Sequence, residues 1–158
     1  MSVLTKCAAT ALALGLSTSG VFAASPDAKM IEGAIKARKA VMTLNAANIG
    51  VLVAMAKGDA AYDADHAGKA AKNLDLLSDL SIGSYFPPDS DSMSVEGTRA
   101  MPELWDNLPD VAAKSAALNT AVDALVLAAS TDLEALRGAI GPVGAACGAC
   151  HKAYRTPE

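Results

Sequence analysis

The sequence predicts an all-α chain folded as an antiparallel four-helix bundle, with a long loop between helices 2 and 3. Three observations lead there. Apolar residues recur alternately three and four apart in four separate segments, and no segment alternates with strand period. Alanine is abundant while aromatic residues make up only 4%, a composition suited to helices packed closely through small side chains. A chain of 158 residues with 52% hydrophobic content can bury one sizeable core, and so few aromatics leave room for something other than protein inside it.

Residues 1–23 read as an export signal. One lysine precedes an apolar run too short to span a bilayer, and Val21-Phe22-Ala23 has the small-x-small form cut by signal peptidase. The mature domain is therefore expected to cover residues 24–158 and to reside in the periplasm. No later stretch is read as apolar enough to cross a membrane, so no insertion is expected once the signal is gone. Cys7 leaves with the signal and lacks the leucine-small-small sequence of a lipoprotein site. Removing Lys6 leaves 12 basic residues against 17 acidic, a net charge of −5. That balance, without a basic block, excludes nucleic acid and anionic membrane surfaces as expected partners.

Helix 1 is expected from about Asp27 to Lys57, with Ile31, Ile35, Arg38, Met42, Asn45, Ile49, Leu52 and Ala56 on one face and Gly58 ending it. Helix 2 runs from about Asp63 to Leu80 with Ala67, Ala70, Leu74 and Leu77 inward. The short link makes the two antiparallel neighbours. The proline-, glycine- and serine-rich stretch from Ser81 to Met101 is a long connection, a crossover or a functional loop. Helix 3 enters through Pro102 or Pro109 and turns Val111, Leu118, Val122, Leu125 and Ala129 inward. Thr131 with Glu134 three later is a capping-box pattern for helix 4. Pro142 removes a hydrogen bond within that helix and is expected to kink it.

The inner seam of helix 4 runs Leu133, Leu136, Ile140, Val143, Cys147, Cys150, Tyr154, so both remaining thiols occupy core positions. His151 follows Cys150 directly, and the three groups share one side of the helix. A c-type haem needs that arrangement: two thiols join the porphyrin vinyl groups as thioethers, and the adjacent imidazole reaches the iron. A thioredoxin-like pair would sit at a helix start after a strand, and no βαβ pattern exists. Zinc would need a fourth ligand that only His66 or a distant carboxylate could supply. A plain disulfide leaves His151 unexplained. One haem c per chain is the reading, with Cys147 and Cys150 as attachment points and His151 as axial ligand. His66, off the inner seam, reads as a solvated histidine, and Trp105 and Tyr154 as packing aromatics.

An exported four-helix chain with CGACHKAYR at its C-terminus, RKAVM on its first helix, AKGDAAYD at its first turn and PELW opening its third resembles the class II cytochromes c, the cytochrome c′ group. The resemblance spans the mature chain. It implies that Arg38 contacts a haem propionate, that Lys39 stands where the family often has glutamine, and that Arg155 lies beside the proximal histidine. Glu96 to Arg99 could also approach a propionate. Met42 takes the position facing the second side of the iron. Arg38-Lys39-Ala40-Val41 before it resembles the five-coordinate members, whereas Gly141-Pro142 resembles the methionine-ligated ones, so both states stay open here. Members often dimerise through their first two helices, and the alanine-rich outer faces allow a homodimer. The expected function is one-electron redox with small redox proteins, or binding of nitric oxide or carbon monoxide at a five-coordinate iron. The alternative is a low-spin carrier with Met42 as second axial ligand. With no acid–base pair beside the haem, no enzyme is expected.

Overall fold

A computed structural model describes residues 26–157. The export signal assigned to residues 1–23 therefore lies outside the described residues. Four long helices form the bundle: α1 (Pro26–Lys57), α2 (Ala64–Ser78), α4 (Leu108–Ala129) and α5 (Leu133–Tyr154). A single-turn helix, α3 (Glu103–Asp106), and one 3-10 turn at Ile82–Tyr85 lie within the connection between α2 and α4. The four-helix expectation holds, and both proline entries are used. Pro102 caps α3 and Pro109 sits in the first turn of α4, where a missing backbone N–H costs nothing.

Helix ends follow local chemistry. Gly58, with φ 85°, takes the left-handed conformation that lets Gly58 and Asp59 donate back to the carbonyls of Met55 and Ala54 and close α1. Asp63 caps α2 by accepting from the His66 backbone N–H at 2.8 Å. The start of α5 differs from the sequence expectation. Asp132, not Thr131, is the cap, accepting from the Ala135 N–H at 2.8 Å. Thr131 instead donates to the Leu127 carbonyl, finishing the preceding helix. A carboxylate one residue later offers the stronger acceptor to the exposed N–H groups, and the helix starts there.

The core joins Leu52 and Met55 of α1, Ala67, Ala70, Ala71 and Leu74 of α2, Val122, Leu125 and Ala129 of α4, and Leu136 and Val143 of α5. Alanines on α2 allow a close approach: Gly68 stands so near Ser130 that an added Cβ would lie 3.2 Å from the serine Cβ. The broadest packing is between α4 and α5, so the helix bearing the cysteine motif has the firmest support. Helix α5 continues through Pro142, which is exposed together with Gly138, so water can take the carbonyl that the ring leaves unpaired.

The membrane reading of the sequence needs one correction. Helices α1 and α4 are both long and apolar enough to cross a bilayer by length and composition. Their hydropathy comes largely from alanine, valine and leucine spread around the helix, which a periodicity reading assigns to the bundle seam. In the fold both helices are members of the bundle.

Candidate functional site

A cleft of about 560 Å³ opens between α1, α5 and the long connection. Helix α1 contributes Arg38, Lys39, Met42, Thr43 and Ala46. Helix α5 contributes Cys150, His151 and Tyr154, followed by Arg155. The third wall is Phe86, residues 97–100 and Leu104. The structure thus gathers most of the candidates predicted from sequence into one space. Cys147 is the exception: one turn before Cys150, it is half-buried and packs against the hydrophobic core. His66 lies elsewhere, exposed on the first turn of α2. Glu96 is exposed and does not line the cleft, whereas the next four residues do.

The cleft end of α5 is tied to the connection by backbone pairing. Met101 donates to the Tyr154 carbonyl and Thr156 to the Arg99 carbonyl, each at 3.0 Å, flanking an antiparallel bridge between Ala100 and Arg155. The Arg99 guanidinium adds donations to the Thr156 carbonyl from Nε at 3.0 Å and from a terminal nitrogen at 2.6 Å. From the other side Tyr154 donates to Asp110 at 2.6 Å, joining α5 to the start of α4. The Asp110 hydrogen bond and burial push the Tyr154 hydroxyl up to about 12. Asp110 is held below the usual carboxylate range by Tyr154 and Lys114.

Electrostatics suit a ligating imidazole. Burial lowers the His151 pKa, and the charges of Arg155 and Arg99 lower it further, so the ring is neutral at pH 7 with a lone pair available. Burial pushes both thiols up, Cys147 further through Cys150. The two cysteines are unbridged.

Arg38 is 4% exposed and carries its charge into the interior. It donates to the Ser90 hydroxyl at 2.8 Å, to the Ser90 carbonyl, to the Thr98 hydroxyl and, at 3.5 Å, to the Tyr85 carbonyl. Its Cζ lies 4.9 Å from the centre of the Phe86 ring. Burial pulls its pKa below the ordinary value, with Asp91 offsetting part of the effect. No carboxylate of the described residues forms an ion pair with it. A buried cation whose hydrogen-bond acceptors are all neutral, with Asp91 offsetting only part of the burial cost, is poorly compensated, and a carboxylate entering the cleft would supply the direct ion pair that the described residues do not.

These features fit a haem with two propionates: one thiol of the pair, a neutral imidazole, an apolar wall and a partly compensated guanidinium line one space, with the second thiol one helical turn away. Phe86, Ser90 and Leu104 were not found by sequence reasoning, whereas Thr98 falls within the Glu96 to Arg99 stretch that was read as approaching a propionate. Only the unusual length of the connection and the Glu96 to Arg99 stretch hinted that this segment had a task. Trp105 packs as expected, 6.2 Å from Phe86 between ring centres, and donates its indole N–H to the Phe86 carbonyl at 3.1 Å.

Fold and site together define a helical-bundle c-type cytochrome with its attachment motif on the last helix. Residues 33–155 match the family described as Cytochrome C′. The chain is 41% identical over 148 residues to cytochrome c-554 of Cereibacter sphaeroides, covering 94% of this chain and 97% of that one. Among solved structures, cytochrome c′ from Rhodobacter Spheriodes superposes with a TM-score of 0.79 at 34% identity, covering 81% of this chain and 98% of that one. A nitric oxide complex of a cytochrome c prime variant from Alcaligenes xylosoxidans matches with a TM-score of 0.71 at 36% identity, over 80% of this chain and 97% of that one. The chain belongs to the cytochrome c′ family, and its cofactor is one c-type haem.

Proposed function

We propose that the protein is a periplasmic haem protein in which Cys147 and Cys150 hold the haem covalently and His151 ligates its iron. Held by these residues, the haem would supply a reversible one-electron change and could bind nitric oxide or carbon monoxide. The observation that carries the reading is the cleft itself: a neutral, half-buried imidazole beside an unbridged thiol faces a wall that offers Arg38 as partner for an anion. Lys39 and Arg155, both exposed at the cleft, are the further cations available to the propionates or to a redox partner. The chain orients and covers the haem, and its membership of the cytochrome c′ family supports a role as carrier or gas binder. The solved nitric oxide complex in the family supports the gas-binding side.

One observation favours a second reading. Met42 lines the same cleft as His151 from the other helix, and it is the only methionine among the lining residues. A thioether bond from Met42 would make the iron six-coordinate and the protein a low-spin electron carrier.

Denaturing electrophoresis with haem staining tests attachment. Stain should stay with the wild-type chain and weaken or vanish in Cys147→Ser and Cys150→Ser. Haem that leaves the wild type under those conditions would sink the proposal. His151→Ala should alter the visible spectrum of haem that remains attached, and His66→Ala should not. The reverse pattern would move the ligand to His66.

A further inference from the structure

We infer that Ser90 and Thr98 are positioning residues: they lock the Arg38 guanidinium in one plane and orientation, so that its remaining donor serves the haem propionate. The inference rests on the propionate role proposed above for Arg38 and extends it to two loop residues, Ser90, which the sequence did not single out, and Thr98, which it placed only within a stretch near a propionate.

The geometry is over-determined for a simple loop anchor. A guanidinium has five N–H groups in a rigid fork. Four of them are taken by the two oxygens of Ser90, the Thr98 hydroxyl and the Tyr85 carbonyl, all acceptors from one connection. Phe86 stacks beneath the same group. What remains is the Nε–H, the donor nearest the helix, on a side chain that lines the cleft.

The acceptors are themselves fixed. Ser90 is fully buried and Thr98 nearly so, in a connection whose other polar residues are mostly exposed. The Ser90 hydroxyl donates its own proton to the Pro87 carbonyl at 2.7 Å, which leaves its lone pairs to receive from Arg38. Burying hydroxyls in a loop stabilises nothing by itself, since each must recover the hydrogen bonds that water gave. Here both are spent on one cation. A long side chain with much rotamer freedom in water is thereby held in place before any anion arrives.

The test uses three haem-loaded proteins beside the wild type: Arg38→Gln, the double variant Ser90→Ala/Thr98→Val, and Thr98→Ser. Resonance Raman reads the propionate bending band, which reports the hydrogen bond at that carboxylate and is blind to loop flexibility as such. Arg38→Gln should displace the band. The double variant, which keeps Arg38, should displace it in the same direction by at least half as much, while Thr98→Ser should restore the wild-type position. Limited proteolysis within 81–101 serves as a separate gauge of loop loosening. A double variant whose loop is cut faster but whose band stays at the wild-type position would overturn the inference, leaving Ser90 and Thr98 as loop anchors only. If Arg38→Gln itself leaves the band unmoved on retained haem, the propionate role of Arg38 fails, and the positioning role with it. Should the double variant not accumulate with haem, Ser90→Ala and Thr98→Val singly carry the same reading.

Discussion

Leu136→Ala should cost about 3–4 kcal/mol of stability while leaving the haem spectrum of the folded protein unchanged. Leu136 is fully buried, on the inner seam of α5 and three turns ahead of the cysteine pair. Removing three carbons forfeits about 0.8 kcal/mol each in transfer free energy, roughly 2.4 kcal/mol together. The rest is the void. The cluster around the site includes Ala67, Ala70, Ala71 and Ala129, side chains with no rotamer that could swing into the space. The cavity should therefore stay open, adding about 1 kcal/mol or more and placing the site in the middle of the range for buried leucines. With unfolding entropy near 2.1 cal/mol/K per residue, that loss lowers the melting temperature by about 10–15 °C. Urea titration of the haem-loaded protein, followed by helix circular dichroism and by haem absorption, measures it. Leu127, 80% exposed on α4, is the control, and Leu127→Ala should stay within about 0.5 kcal/mol of wild type. A loss below about 1 kcal/mol for Leu136→Ala would refute the packing argument, because it would mean the alanine-lined core can collapse.

Asp110→Asn should weaken the protein at neutral pH and match wild type in acid. The carboxyl is held low by Tyr154 and Lys114, so its contribution is present above the ordinary carboxylate range and lost as pH falls through the lowered value. Urea midpoints at neutral and acidic pH check it. Tyr154→Phe makes the alkaline counterpart: the wild type should lose stability as pH rises from about 10 towards about 12, and the variant should not show that loss. Asp132→Ala should cost about 1 kcal/mol through the lost cap of α5, with Thr131→Ala closer to neutral, and the reverse order would return the cap to Thr131. Met42→Leu separates the two functional readings by visible spectroscopy. A methionine-to-iron band in the oxidised wild type that disappears in the variant makes Met42 a ligand. High-spin spectra in both make it a lid, and Met42→Ala should then speed carbon monoxide binding.

Local pattern carried most of the fold. Periodicity found all four long helices, because each depends on residues three or four apart along one segment, whereas the single turn α3 after Pro102 went unforeseen and the third long helix is entered through Pro109. The α5 seam from Leu133 to Tyr154 was legible for the same reason, and with it the shared side of Cys147, Cys150 and His151. Where two local signals competed within one residue, as Thr131 and Asp132 do, sequence could name the helix start but not the capping group. Hydropathy alone likewise could not tell that α1 and α4 would be bundle helices.

Only the tertiary structure decided what closes the cleft and what holds Arg38. The acceptors of its guanidinium lie 47 to 60 residues further along the chain, in a connection with no periodicity to give their direction. Nothing in Ser90 or Thr98 as residue types distinguishes them from the exposed serines beside them. Their role exists because the bundle brings the start of α1 and the connection to the same end. There, burial makes a cation seek every neutral acceptor within reach, with Asp91 acting on it only at a distance and no carboxylate of the described residues in direct contact. A sequence states which groups the chain possesses. Which of them meet across tens of residues is settled by the packing of α1 and α5 and by the bridge that ties residues 99–101 to 154–156.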